Sequence, residues 1–196
     1  MHHPQYKEDD LNLQNFISES GDILHKIREI DVVEGASGRL EIPGVAFAEK
    51  GTQEMLLKGI VPVEENNTTG LQDNIVRGDF FGGGDMDSTN IVVGEALAEK
   101  LDLQLGDTLE AHLPGMRGAV IKKLFTLSGT YKTSNSTLDL RNAYVNYSTL
   151  APLIDANGQF QEIAIYLEDH EKIDEVTADA VASAAKSWAL LSLASA

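Results

Sequence analysis

A chain of 196 residues is long enough to bury a sizeable core, as one large domain or two small ones. Its formal net charge of −16, from 31 acidic and 15 basic residues, repels phosphate backbones and anionic headgroups and argues against nucleic-acid binding and peripheral membrane adhesion. With no cysteine, disulfides, thiolate nucleophiles and Cys-based zinc sites are excluded.

Residues 1–10 are polar and read as a disordered start. In 11–30, Phe16, Ile17, Ile23, Leu24 and Ile27 recur at roughly helical spacing. Gly21 interrupts that helix at a cost of about 1 kcal/mol relative to Ala, and Ser20 or Asp22 offers a cap for a second helical piece. From residue 31 the period changes to two. Leu40 and Ile42 alternate with Arg39 and Glu41, and the alternation resumes with Val45 and Phe47 after Pro43-Gly44. Proline cannot donate to a central ladder, so this is two strands or one strand bent there. A further strand covers 54–61 and ends at Pro62. Residues 64–70 are polar, 71–76 read as a short helix, and GDFFGGGDMDS is a glycine-rich loop.

The run IVVGEALAEKLDLQLGDTLEAHL, 91–113, is the most structured pattern in the chain. It predicts a buried strand, a short helix, a turn at Gly106-Asp107 and a second strand with Leu109, Ala111 and Leu113 facing in. Pro114-Gly115-Met116-Arg117-Gly118 reads as a hairpin tip, and 119–131 as the returning strand. A strand at 141–147, a short helix at 148–154, a strand at 161–167 and a closing helix from His170 complete the chain. Strand runs between helices point to an α+β fold, not a parallel doubly wound sheet.

No motif supplies catalytic chemistry. Gly82-Gly83-Gly84 is followed by Asp85, where a phosphate loop needs Lys and Ser or Thr. Asp85, Asp87 and Thr89 have calcium-loop spacing, but Asn90 and Ala96 stand where that loop needs Gly and a bidentate Glu. His25, His112 and His170 have no second His at helical metal-binding spacing, and there is no Gly-x-Ser-x-Gly elbow. The sequence therefore implies no enzyme, no cofactor and no metal. The candidate partner-binding residues are Phe80 and Phe81 in the glycine-rich loop and Pro114, Gly115, Met116, Arg117 and Gly118 at the hairpin tip. Met adapts to varied surfaces and Arg is favoured at interfaces. The plainer reading of the Phe pair is a loop anchored into the core.

Several segments in order resemble one family. Leu57-Lys58-Gly59-Ile60-Val61-Pro62 is similar to its Gly-Val-Asp-Pro strand, with Val61 in place of Asp. Ile75-Val76-Arg77-Gly78, the 91–109 run, Leu127-Ser128-Gly129-Thr130-Tyr131 and Ala143-Tyr144-Val145 follow. The family is the extracytoplasmic (periplasmic) core domain of ABC-transporter permeases of the MacB, LolC and LolE type, and the lipoprotein-releasing branch is the nearer likeness.

The resemblance implies a porter-like subdomain from 11–87 and 160–196, with terminal stalk helices, and an inserted β-rich lobe from 88–159. It implies a non-enzymatic domain on the extracytoplasmic face of the inner membrane, anchored by membrane helices outside this stretch. The polar start, with no signal-peptide h-region and no apolar run of 18 residues, fits such an excised domain. The domain would couple ATP-driven motion to lipoprotein release or export. Its partners would be an ATP-binding subunit, a second permease, and a lipoprotein carrier or lipoprotein cargo, with the isolated domain monomeric. In the lipoprotein-releasing branch a projecting hairpin recruits the carrier, and the tip here is short. The alternatives are MacB-like efflux, an FtsX-like signalling permease domain, and a stand-alone hydrolase with its site in the 80–87 loop.

Overall fold

The computed structural model describes residues 16, 17, 19–81, 89–115 and 119–167. Helix α1, Ser20–Arg28, comes first. Gly21 lies in its first turn, and Ser20 does not cap it. The Ser20 hydroxyl instead accepts from the backbone N–H of Phe160 at 2.8 Å. Strand β1, Val33–Ala48, then runs unbroken for 16 residues and turns back into β2, Gly51–Ile60. One edge of β1 pairs with β2 over Arg39–Ala48. The other edge is shared by two strands: β8, Glu162–Leu167, along Val33–Arg39, and β5, Thr108–Pro114, along Val45–Phe47. Pro43 falls in the gap between those two partners, where no ladder requires its missing N–H. That position explains why the strand does not break there.

Pro62 opens helix α2, Pro62–Thr69, and Gly70 closes it in the left-handed conformation. The polar segment is thus a helix. A 3₁₀ turn, Leu71–Asn74, leads to β3, Ile75–Gly78. Next come β4, Asn90–Gly94, and α3, Glu95–Leu101, then β5 and β6, Val120–Tyr131. Helix α4, Ser136–Arg141, is capped by the Asn135 side chain, which accepts from the N–H groups of Thr137 and Leu138. β7, Asn142–Asn146, α5, Tyr147–Leu150, and a 3₁₀ turn, Ala151–Ile154, precede β8. The α+β class is as the sequence predicts. Among the described residues no helix is long and apolar enough to cross a membrane. The predicted closing helix from His170 lies outside the described residues.

The sheet runs β2-β7-β4-β6-β5-β1-β8, with β3 on β6, and β1 also pairs with β2. Six strands, β1, β2, β7, β4, β6 and β5, therefore close into a ring. Strands β4 to β7 come from 88–159, the stretch expected to form a separate lobe, and they lie in this ring beside β1 and β2. Leu40, Ile42, Leu57, Ile91, Val93, Leu109, Ala111, Leu113, Phe125 and Val145 all belong to one buried cluster, joined by Leu97 and Leu101 of α3. The inward alternation of β5 is found as expected. Outside the ring, the first half of β1 and β8 form a two-stranded wing. Ile23, Leu24 and Ile27 of α1 pack on it with Ala36, Phe160 and Ile163.

Gly106 closes the turn between α3 and β5 at φ 88°. Its N–H donates to the Leu127 carbonyl at 2.9 Å, tying the turn to β6. Nothing lies within 4 Å of where its Cβ would sit, so a substitution is opposed by the backbone conformation alone. Gly106→Val should destabilise the domain by about 1–3 kcal/mol. Urea denaturation measures this, and an unchanged midpoint would mean that the turn relaxes freely.

Candidate functional site

Strand alternation puts Arg39 and Glu41 on the outer face of the ring, opposite Leu40 and Ile42. That face is not left to solvent. Helix α2 and strand β8 cover it and enclose a network of charges. The Arg39 guanidinium donates to both carboxylate oxygens of Glu65 on α2, at 2.6 and 2.9 Å, and to Glu162 on β8 at 3.0 Å. The Glu65 side chain is 1% exposed and also accepts from Ser37 and Thr69, each at 2.9 Å. Lys58 of β2 pairs with Glu41 and lies 4.0 Å from Glu162. The side chain of Gln161 accepts from the Glu41 backbone N–H at 2.7 Å. The network thus joins β1, β2, α2 and β8.

Three carboxylates face two cations here. Burial by itself disfavours the Arg39 charge, but the hydrogen bond and charge of Glu65 outweigh it and hold the guanidinium charged. Burial likewise pushes the Glu65 carboxyl up, and Arg39, Thr69 and Ser37 overcome this and bring it below the usual range. Lys58 is held charged by Glu41 and Glu162 against its own desolvation. Glu162 carries the surplus. Burial, then its hydrogen bond with Glu41, pushes it up to about 7, against the pull of Arg39. A proton held there balances the charges below about pH 7.

The residues singled out in the sequence lie elsewhere. Phe81 is 2% exposed and packs with Ile60, Leu71, Val92 and Tyr131 on the outer face of the ring, with Phe80 partly buried beside it. Phe81 adopts φ 59°, and its carbonyl accepts from Asn90 Nδ2 at 3.2 Å. It anchors the start of the glycine-rich loop. Pro114 ends β5, and the Gly115 N–H donates to the Ala119 carbonyl at 2.7 Å, closing the base of the hairpin. Met116, Arg117 and Gly118 lie outside the described residues, as do Asp85 and Asp87. The charge network was missed because alternating polar residues on a strand ordinarily face water. Only the polar residues of α2 hinted at a partner for Arg39.

Two predictions follow from the network. Arg39→Met leaves Glu65 buried without its partner and should cost about 3–5 kcal/mol, whereas Arg39→Met with Glu65→Leu should recover most of that loss. Chemical denaturation distinguishes them, and equal loss in both variants would mean that packing, not charge, decides. The second concerns pH. The folded state raises the affinity of Glu162 for its proton, so its contribution is fully present below the ordinary Glu range and is lost as pH rises through about 7. Glu162→Gln should therefore flatten the fall in melting temperature between about pH 5 and pH 8. A slope identical to that of the unsubstituted protein would refute this.

The model of the MacB-like periplasmic core domain matches residues 4–183. Among solved structures, the extracellular domain of the noncanonic ABC-type transporter YknZ from Gram-positive bacteria superposes with a TM-score of 0.58 at 16% identity, covering 79% of this chain and 76% of that one. The periplasmic region of MacB from Actinobacillus actinomycetemcomitans gives 0.58 at 15% identity, covering 81% and 69%. No curated protein matches the chain. The fold is shared with both structures, and the family match extends over most of the sequence: the chain belongs to the MacB-like periplasmic core domain family, the extracytoplasmic part of ABC-transporter permeases.

Proposed function

We propose that this domain couples the ATP-driven motion of its permease to the movement of an amphiphilic cargo, by lipoprotein release or by export, and makes or breaks no bond itself. The observation that carries this reading is the family match over 4–183. The architecture supports it. A ring of strands tied to α2 and β8 by buried charges suits a body that transmits displacement. On this reading the ATP-binding subunit and a second permease are its partners, and membrane helices outside this stretch anchor it. The tip from Pro114 to Gly118 touches a soluble partner.

One observation favours efflux over lipoprotein release. β5 and β6 pair as far as Pro114 and Val120, and in sequence only 115–119 connect them. That is a short reach for a hairpin that must recruit a carrier.

The whole permease, reconstituted in vesicles with its ATP-binding subunit, tests the proposal. ATP-dependent release of a lipoprotein, or transport of an amphiphilic drug, is expected, and which of the two occurs decides between the branches. ATP hydrolysis with neither movement would overturn the proposal. If a lipoprotein carrier is recruited, Met116→Ser with Arg117→Ser should weaken its capture in a pull-down without lowering the melting temperature. Equal capture by both forms would remove the tip from the contact.

A further inference from the structure

Between Glu110 and Asp139 the chain carries Arg117, Lys122, Lys123 and Lys132 and no acidic residue, in a protein of net charge −16. β6 lies within this basic stretch. Its first half, Val120 to Phe125, pairs with β5 along one edge. On the other edge β4 joins only from Thr126 onward, and β3 follows β5 along the first edge. Among the described residues that half-strand therefore leaves one edge unpaired. On the outer face of the ring Val120, Lys122 and Leu124 follow one another, with Val120 63% and Leu124 58% exposed. The adjoining row on β5 is Pro114, His112 and Glu110. His112 pairs with Glu110 and stacks on Phe47 with ring centroids 3.9 Å apart. Glu110 is thereby engaged, and Lys122 and Lys123 have no carboxylate partner among the described residues.

Lysine on an open edge ordinarily guards against stray pairing. A guarded edge gains nothing by also holding out two large apolar side chains. Here the lysines stand between Val120 and Leu124, so the edge carries charge at its centre and apolar surface on either side. This pattern has a definite complement: an extended segment with two adjacent acidic residues flanked by apolar ones. Its backbone would continue the ladder, its carboxylates would meet Lys122 and Lys123 on the two faces, and its apolar side chains would meet Val120 and Leu124.

We propose that the β6 edge from Val120 to Phe125 is a docking strand for an acidic extended segment of a partner protein. The inference rests on the reading of the β5–β6 hairpin as a partner contact and names the chemistry of that partner.

Fluorescence anisotropy tests it, with the 196-residue chain and a labelled peptide Thr-Val-Glu-Glu-Val-Thr as probe. Saturable binding is expected, weakening as salt is raised. Lys122→Glu with Lys123→Glu should weaken it about tenfold or more while circular dichroism stays unchanged, and should instead favour Thr-Val-Lys-Lys-Val-Thr. Should that variant not fold, Lys122→Gln with Lys123→Gln gives the same comparison. Equal affinity for both peptides, or equal affinity of substituted and unsubstituted chain, would overturn the proposal. So would binding to phosphatidylglycerol vesicles in place of the acidic peptide, or self-association of the chain that these substitutions abolish. The probe is measured without transporter or carrier, so failure of transport or of capture at Met116 and Arg117 is a separate result.

Discussion

The architecture depends on β1 using both of its edges. A strand with one partner leaves a row of donors and acceptors to be satisfied elsewhere. β1 gives one edge to β2 and divides the other between β8 and β5. The pairing with β5 joins the far end of the strand path back to its beginning and closes the ring. The pairing with β8 draws residues 160–167 onto the first half of β1. Pro43, which cannot donate, occupies the interval between them, where no ladder is interrupted.

Closure of the ring makes its two faces unequal. The inner face is apolar and filled by one cluster that draws on almost every strand and on α3. The outer face is divided. Near Arg39 it carries buried charges under α2 and β8. Around Phe81 it carries a smaller apolar cluster. Along the first half of β6 it exposes Val120 and Leu124. A buried ion network is weak evidence for stability in itself, since desolvation opposes much of the Coulombic gain. Its geometry does fix which helix and which strand dock at that place, because Glu65 and Glu162 satisfy Arg39 only in this arrangement. This keeps β8 in register with the ring.

The charge distribution separates interior from surface. The acidic excess lies outside the hairpin, whereas β6 is basic and partly apolar. An even spread of acid would discourage every anionic contact. The local reversal lies on the hairpin that the sequence marked at its tip, where an anionic contact is less opposed.

The strand-helix-turn-strand unit of 91–113 was legible because its pattern is local: consecutive residues set the period, and Gly106 marks the turn. The α+β class, most of the strands and the family resemblance followed from such short-range signals. Helix α2 was not legible, since a polar segment with no apolar stripe gains its reason to fold from Arg39 and Ser37 on another element. The unbroken course of β1 through Pro43 and the place of 88–159 within one ring were equally hidden. Arg39 and Glu162 are 123 residues apart and Glu41 and Gln161 are 120 apart, and no periodicity reports a contact at that distance. Phe81 shows the same division, because its sequence fits an exposed loop or a buried anchor and only its neighbours decide. The sequence alone determined the 91–113 unit, most of the strands, the absence of cysteine chemistry and the acidic balance, since these depend on neighbouring residues and on composition. Tertiary structure alone decided which polar residues are buried and which strand edge is left unpaired among the described residues, because burial and pairing depend on partners that the chain brings together only when folded.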